Sequence, residues 1–247
     1  FTLRATAGEL IRIQVLHQYI DAKAVTVYTR SGPPNDDFQT PLPITNNTIK
    51  GTTQGATSEF GEAFSQTVWY KWQPDRSRGY EFRVTGGHSL FIFEGGSLSD
   101  LKLVGHAKAT LLESFTATIS GDASKSYYIA VSGLSVFSGA FEFRINPGPA
   151  NDMFVHRTRI QNLDEHLSAD LTLATREPEE PSHNTNQPSR TVWYEWIAPT
   201  TGGHYIELTN VTAGVSIYTG ASLTNLTEVP LNILQQSSGT VGTNCFV

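Results

Sequence analysis

The side chains able to bind metal or transfer protons are mainly acidic, and they lie in two kinds of place. The first kind is a repeated Asn-Asp stretch, Asn35-Asp36-Asp37 and Asn151-Asp152. The second is the acidic run of Glu177, Glu179 and Glu180 with His183. Calcium needs about six to eight converging oxygens, which one short loop seldom supplies. We therefore expect Asn35 and Asp36 to hydrogen-bond the backbone where the first strand of a repeat begins. No cofactor is expected, and calcium is the alternative.

Nucleophilic catalysis has little support in the sequence. The chain has 7 histidines, which do not recur at matching places, and no serine elbow, His-Glu-x-x-His or phosphate-binding glycine loop. Cys245 is the only cysteine, so it excludes an internal disulfide and has no local base beside it. An interface or core role is expected for it, and the chain is predicted not to be an enzyme.

The chain repeats itself, and this decides the domain organisation. Asn35-Asp36-Asp37-Phe38 returns as Asn151-Asp152-Met153-Phe154, and Val68-Trp69-Tyr70-Lys71-Trp72 returns as Val192-Trp193-Tyr194-Glu195-Trp196. A unit of roughly 115 residues favours two domains over one. Residues 177–184 interrupt the second copy, and three prolines lie in or near this stretch. With no matching acidic run found in the first copy, we expect an exposed loop there.

The period of the sequence is that of β-strands. Tyr80-Glu81-Phe82-Arg83-Val84 and Phe141-Glu142-Phe143-Arg144-Ile145 alternate apolar and polar residues, and residues 10–15 and 24–28 fit the same template. Glycine-rich turns separate these runs. The pattern predicts an all-β protein of tandem antiparallel β-sandwich domains, jelly-roll-like in character. Residues 100–113 lack helix caps and are expected to be loop or strand.

The tryptophans come in two Trp-x-x-Trp pairs, Trp69 with Trp72 and Trp193 with Trp196. An odd spacing in a strand places the two rings on opposite faces. We expect one ring in the core and the other covering the outer face of the sheet, because large aromatic side chains dominate cores. A surface for stacking sugars or peptides is the alternative.

Composition limits the partners. Only 16% of residues are charged and the net charge is −6 with no basic run, which excludes electrostatic attraction to nucleic acid or an anionic membrane. No apolar stretch approaches the ~20 residues of a membrane-spanning helix, so membrane insertion is not expected.

Five motifs follow one another in order: Asn151 to Phe154, Leu173-Ala174-Thr175-Arg176-Glu177, Val192 to Trp196, Tyr218 to Leu226 and, from the complete repeat, Tyr127 to Val131. Together they resemble the motifs of bacterial pre-peptidase C-terminal (PPC-like) domains. The resemblance covers essentially the whole chain. It implies extracellular sandwiches that occur as tandem, non-catalytic accessory modules of secreted or surface proteins. Some relatives bind calcium after the Ser-Leu-x-x-Leu motif, but residues 104–107 and 229–232 lack paired carboxylates, so that role is not carried over.

The repeat is also out of phase with the chain. The segment beginning Phe1-Thr2-Leu3 resembles the one beginning at Phe115, which lies late in the complete repeat. This indicates the C-terminal strands of a split sandwich in residues 1–33, a complete sandwich in 34–148 and the N-terminal portion of another in 149–247. An unfinished sandwich exposes core residues and backbone edges. The residues expected to complete it are Phe1, Leu3, Ile11, Ile13, Val15, Cys245, Phe246 and Val247.

Three completions stay open: from the same chain, from the next molecule head to tail, or from neighbouring repeats of a longer array. We favour the last two over self-closure. The leading hypothesis is an extracellular fibre, surface or stalk subunit that is its own partner and is located outside the cell or at the bacterial surface. The alternative is an accessory module of a secreted hydrolase that binds polysaccharide, collagen or another protein ligand.

Overall fold

The computed structural model describes residues 3–15, 26–27, 29–108, 115–133, 139–182, 190–208, 214–230, 232–235 and 241–246. The chain divides into two compact units. The first contains residues 1–75 and 80–146, and the second contains residues 76–79 and 147–247. Both are built from β-strands, with two short 3₁₀ turns, Phe154–His156 and Leu223–Asn225, in the second. The predicted all-β class of tandem antiparallel β-sandwiches is confirmed. No helix in the described ranges is long and apolar enough to cross a membrane.

The first unit is built on nine strands in two sheets, although residues 78–79 and 147 at the ends of two of these strands are counted with the second unit. The strands are β1 (Leu42–Pro43), β2 (Thr48–Thr52), β3 (Thr67–Trp72), β4 (Arg78–Val84), β5 (His88–Glu94), β6 (Lys102–Lys108), β7 (Thr116–Gly121), β8 (Tyr127–Gly133) and β9 (Ala140–Pro147). One sheet has the order β1-β3-β8-β5-β6, and the other has the order β2-β9-β4-β7. The pairs β2–β9, β3–β8, β5–β8 and β5–β6 are antiparallel, and the short β1 pairs in parallel with β3. The part of residues 100–113 that is described forms strand β6, with no helix.

Alternation along the strands explains why the two sheets stack. In β9 the side chains of Phe141, Phe143 and Ile145 are buried, whereas the residues between them are exposed or half-buried. They pack with β4, β3, β5 and β8 residues into one core cluster that lies between the sheets. β8 is the central strand of its sheet, and it pairs with β3 on one side and β5 on the other.

A second, smaller cluster covers the outer face of the five-stranded sheet. Trp69, Phe91 and Ala130 come from three adjacent strands, and Phe38 lies over them from the loop that carries the Asn-Asp motif. Phe38 meets the Trp69 ring edge-on, with centroids 5.0 Å apart. Both faces of β3 are therefore buried, which is why its pattern is nearly continuous rather than alternating.

The described residues of the second unit form seven strands. They are β10 (Thr158–Ile160), β11 (Tyr194–Trp196), β12 (Gly203–Leu208), β13 (Ile217–Thr219), β14 (Thr227–Val229), β15 (Asn232–Gln235) and β16 (Val241–Phe246). β10 pairs in parallel with β11, β13 pairs antiparallel with β14, and β12 and β15 flank β16. The parallel pair matches Thr158 to Tyr194, the counterpart of Leu42 with Tyr70.

One expected strand is absent from the described residues of the first unit. Residues 10–15, predicted to be a strand, are not part of any sheet, and their side chains are exposed. The prediction is wrong for this segment because an alternating pattern becomes a strand only when a ladder partner and an apolar surface are available. The companion prediction at 24–28 lies partly outside the described residues.

Candidate functional site

The two repeats share a polar network around the Asn-Asp motif, which we call the acidic hook and define by Asn35, Asp36, Glu59, Glu62 and their counterparts in the second repeat. Asn35 brackets one residue of β3: its Nδ2 donates to the Trp69 carbonyl at 2.8 Å, and its carbonyl accepts from the Trp69 amide at 2.8 Å. Asn151 does the same to Trp193 at 3.0 and 2.9 Å. The bracket attaches the loop to the strand.

The aspartate that follows binds a threonine twice. Asp36 accepts from the Thr57 amide and from the Thr57 hydroxyl, both at 2.6 Å. In the second repeat Asp152 accepts from the Thr175 amide at 2.6 Å and from its hydroxyl at 2.8 Å. Both carboxylate oxygens are thus occupied by one residue, which joins two loops that are distant in sequence.

Two glutamates complete the network. Glu59 accepts from the Phe38 amide at 2.5 Å, and Glu177 accepts from the Phe154 amide at 2.6 Å. The second glutamate bonds the amide of the first: Glu62 accepts from the Glu59 amide at 2.7 Å, and Glu180 from the Glu177 amide at 3.1 Å.

The second glutamate of each pair also anchors the outer tryptophan. Glu62 accepts from Trp69 Nε1 at 2.6 Å, and Glu180 accepts from Trp193 Nε1 at 3.3 Å. In both repeats a phenylalanine then meets that indole edge-on, Phe38 at 5.0 Å and Phe154 at 5.1 Å. The hook therefore fixes the aromatic cover of the sheet.

The expectation for the acidic run at 177–184 is corrected by this network. Glu180 is 5% exposed and Glu177 is half-buried, whereas Pro178 and Glu179 are exposed. Glu177 and Glu180 have counterparts in Glu59 and Glu62, so this part of the run belongs to the repeat and is not an exposed insertion. His183 lies outside the described residues.

The sequence contains a pattern that identifies both glutamates of each hook. Thr57-Ser58-Glu59-Phe60-Gly61-Glu62 and Thr175-Arg176-Glu177-Pro178-Glu179-Glu180 share the pattern Thr-x-Glu-x-x-Glu. Only the first three positions coincide with the Ala-Thr-x-Glu motif. The added residues between Glu180 and Thr191 obscured the second glutamate.

Burial changes the proton affinity of one glutamate in each hook. Burial raises the pKa of Glu62, and the neighbouring Glu59 and Asp36 charges act in the same direction, against the hydrogen bonds from the Glu59 amide and Trp69. Burial likewise raises the pKa of Glu177, against its bond from the Phe154 amide. These carboxyls serve as acceptors for the protein's own donors.

The two hooks differ in what else touches the aspartate. In the first unit the Arg4 guanidinium lies between the carboxylates, bonded to Asp37 and 3.5 and 3.7 Å from Asp36 and Glu59. In the second unit the Gly79 amide donates to Asp152 at 3.0 Å. A Cβ at Gly79 would overlap the Leu173 carbonyl, so this approach requires glycine.

The described residues contain no group of three or more His, Cys, Asp or Glu side chains placed to hold a metal ion. The carboxylate oxygens of the hook accept hydrogen bonds from amides, hydroxyls and indoles and do not converge on one point where an ion could bind. Chemically, the arrangement is a clamp for backbone and tryptophan.

Trp69 and Trp72 lie on opposite faces of β3, as their odd spacing requires. Trp72 is in the core between the sheets, edge-on to Tyr80 at 4.9 Å, and Trp69 is in the outer cluster. Burial removes both from the stacking surface considered above. Trp193 and Trp196 also contact aromatic rings, Tyr218 and His204 respectively, but the two tryptophans are only half-buried.

The residues expected to complete a split sandwich are placed separately. Leu3, Ile11, Ile13 and Val15 are exposed in the first unit's leading segment. Cys245 and Phe246 lie in β16, opposite His204 and Gly203. Phe1 and Val247 lie outside the described residues.

No protein-family model matches the chain, and no curated protein sequence matches it. Among solved structures, the chain is similar to the pre-peptidase C-terminal domain of collagenase from Bacillus anthracis, at 14% sequence identity and a TM-score of 0.30. The match covers 43% of this chain and 94% of that domain. The sheets described above, and not this similarity, establish the all-β sandwich.

Proposed function

We propose that the chain is a non-catalytic structural and accessory module of an extracellular protein, built from PPC-like sandwich repeats in tandem. In this proposal a split repeat is completed by strands of a neighbouring molecule or repeat. The observation that supports it is the acidic hook, which the described residues of the second unit reproduce from the first and which holds the protein's own loops and outer tryptophan.

The described core positions of the two units differ in burial. Tyr70 and Trp72 of β3 are buried, whereas Tyr194 and Trp196 of β11 are half-buried. Ile92 of β5 is fully buried, and Ile217 of β13 is half-buried.

The use of the acidic side chains supports a non-catalytic role. Asp36, Glu59 and Glu62 hold the protein's own backbone and Trp69, and the second repeat spends Asp152, Glu177 and Glu180 in the same way. A catalytic carboxylate is instead expected to face a substrate site. These residues stabilise the repeat.

The proposal is tested by the solution state of the purified full chain. Sedimentation velocity over a range of concentrations and negative-stain microscopy should show oligomers or filaments that lengthen with concentration. A compact monomer at every concentration would refute completion by a neighbouring molecule.

Only some of the residues considered for ligand binding in the alternative function are accessible. Trp193 and Trp196 retain some exposed surface, whereas Trp69, Trp72, Glu177 and Glu180 are engaged inside the protein. Retention on a panel of insoluble polysaccharides and fibrillar collagen would support this role, and loss of retention in a Trp196→Ala variant would assign it to the second repeat.

A further inference from the structure

The side chain of Arg4 is seated in the acidic hook of the first unit, where its donors meet four acceptors. Its Nε donates to the Thr57 hydroxyl oxygen at 3.2 Å. Nη1 bonds Asp37 and lies 3.7 Å from a Glu59 oxygen. Nη2 lies 3.5 Å from an oxygen of Asp36. All three nitrogens of the planar guanidinium therefore face an oxygen acceptor, which is the arrangement that its fixed fork of donors requires.

These acceptors are oriented by the hook itself and not by Arg4. Asp36 accepts from the amide and the hydroxyl of Thr57. Glu59 uses Oε2 to accept from the Phe38 amide, which leaves Oε1 facing Arg4. Because Thr57 gives its only hydroxyl hydrogen to Asp36, its lone pairs are available to the Nε–H of Arg4. We therefore expect the acceptors to stay in place when Arg4 is removed.

Asp37 lies at this site without taking part in the clamp. Its side chain is 45% exposed, and its described partner is Arg4. The second unit keeps the clamp, with Asp152 bonded twice to Thr175, but it has buried Met153 at the position of Asp37. The clamp thus forms without this carboxylate, so the contact of Asp37 with a guanidinium is an addition to the hook of the first unit.

The segment that carries Arg4 is attached to the unit through this one side chain in the described contacts. All of residues 3–15 are exposed. Apart from the contacts of Arg4, the hydrogen bonds described for these residues belong to a local turn. In it the Thr6 amide donates to the Glu9 carboxylate at 2.8 Å, and the Glu9 amide donates to the Thr6 carbonyl at 2.9 Å. Because exposed ion pairs are individually weak, another arginine can displace Arg4.

We propose that Asp36, Asp37, Thr57 and Glu59 form a binding site for the guanidinium group of an arginine in a peptide segment. We call these four residues the guanidinium site. Arg4 is the ligand that the chain's own segment supplies, and an arginine of another peptide binds in its place when Arg4 leaves. The site prefers arginine to lysine, because an ammonium group is a point charge and does not present a planar fork to acceptors around it. This binding role goes beyond the structural role proposed above and does not depend on self-assembly.

Fluorescence anisotropy of a labelled peptide with the sequence of residues 3–9, titrated with the full chain, measures this binding. The Arg4→Ala chain should bind the peptide at least about tenfold more tightly than the unmodified chain, in which the tethered Arg4 competes at a high effective concentration. A second peptide with lysine in place of its arginine should bind the Arg4→Ala chain at least about fivefold more weakly than the first.

Two further variants, each added to Arg4→Ala, separate the site from general charge. Asp37→Asn removes one acceptor charge of the guanidinium site and should weaken peptide binding at least about fivefold. Glu94→Gln is the matched control, because it removes the same charge from another ion pair of the first unit, with Lys125 at 3.2 Å, and it should leave binding unchanged. Urea unfolding of each variant checks that its fold is retained.

Equal binding of the arginine and lysine peptides would overturn guanidinium recognition, because attraction of charge alone would then account for both. Equal binding by the unmodified and Arg4→Ala chains, or no binding by either, would overturn the site. Competition identifies the source of the arginine. Displacement of the labelled peptide by an unlabelled Asp37→Asn chain, which keeps Arg4, would support the site with a second copy as the source. Displacement by unlabelled peptide alone would support the site with a segment of another protein as the source.

Discussion

The acidic hook makes one aspartate far more important than its neighbour, and Asp36→Ala measures this. The substitution removes two acceptors, which leaves the Thr57 amide and hydroxyl of a half-buried loop without their partner. Hydrogen bonds to a charged group contribute about 1.5–3 kcal/mol each. Because the two bonds share one residue and are not additive, we expect the free energy of unfolding of the first unit to fall by about 2–4 kcal/mol.

Asp37→Ala is the matched control. It removes the same charge one residue later, but the Asp37 side chain is 45% exposed and meets only the exposed Arg4 in the described contacts. Exposed ion pairs contribute about 0–1 kcal/mol. The second repeat supports this ranking, since it keeps Asp152 and has Met153 at the position of Asp37.

The assay is urea unfolding of the full-length chain, followed by hydrogen exchange with peptide resolution. Exchange should accelerate in 35–38 and 57–72 for Asp36→Ala, with the second unit as an internal reference. Asp152→Ala should move the effect to the second unit. Equal losses for Asp36→Ala and Asp37→Ala would refute the clamp, because charge alone would then account for both.

Three further outcomes follow from burial. Trp72→Ala should lower the stability of the first unit by about 3–5 kcal/mol, measured by calorimetry, and Trp196→Ala should lower that of the second by less than half as much, because its ring is half-exposed. Burial raises the pKa of Glu62, so the stability that this group contributes to the folded state is complete below its ordinary pKa of 4.5 and is lost as pH rises through the raised pKa. The urea midpoint of a Glu62→Gln variant should therefore lack this dependence on pH. Burial lowers the pKa of His88, so the stability that this group contributes to the folded state is complete above its ordinary pKa of 6.5 and is lost as pH falls through the lowered pKa. A His88→Gln variant whose stability falls with acid as steeply as that of the unmodified protein would contradict this.

The sandwich could be predicted from the sequence because its signals are local. Alternation in residues 141–145 identifies one buried face, and the odd spacing of Trp69 and Trp72 requires both faces of β3 to be covered. These patterns depend only on the two-residue period of a strand.

The acidic hook could not be predicted with the same ease, because its members come from three separated segments. Asp36 and Thr57 are joined through space, and only the repeated Thr-x-Glu-x-x-Glu pattern records the connection. Residues 10–15 failed as a predicted strand for the complementary reason. Their pattern is that of a strand, but a strand forms only beside a partner, and sequence period does not identify the partner.

The two repeats separate the local from the long-range part of the fold. The hook forms in both, which shows that a few charge-assisted hydrogen bonds suffice to join its loops. In the first unit the central strand β8 contributes three fully buried side chains, each worth about 1.5–3 kcal/mol of apolar burial. Burial of that size depends on a strand that is paired on both sides, so it is a property of the assembled sheet rather than of any one segment.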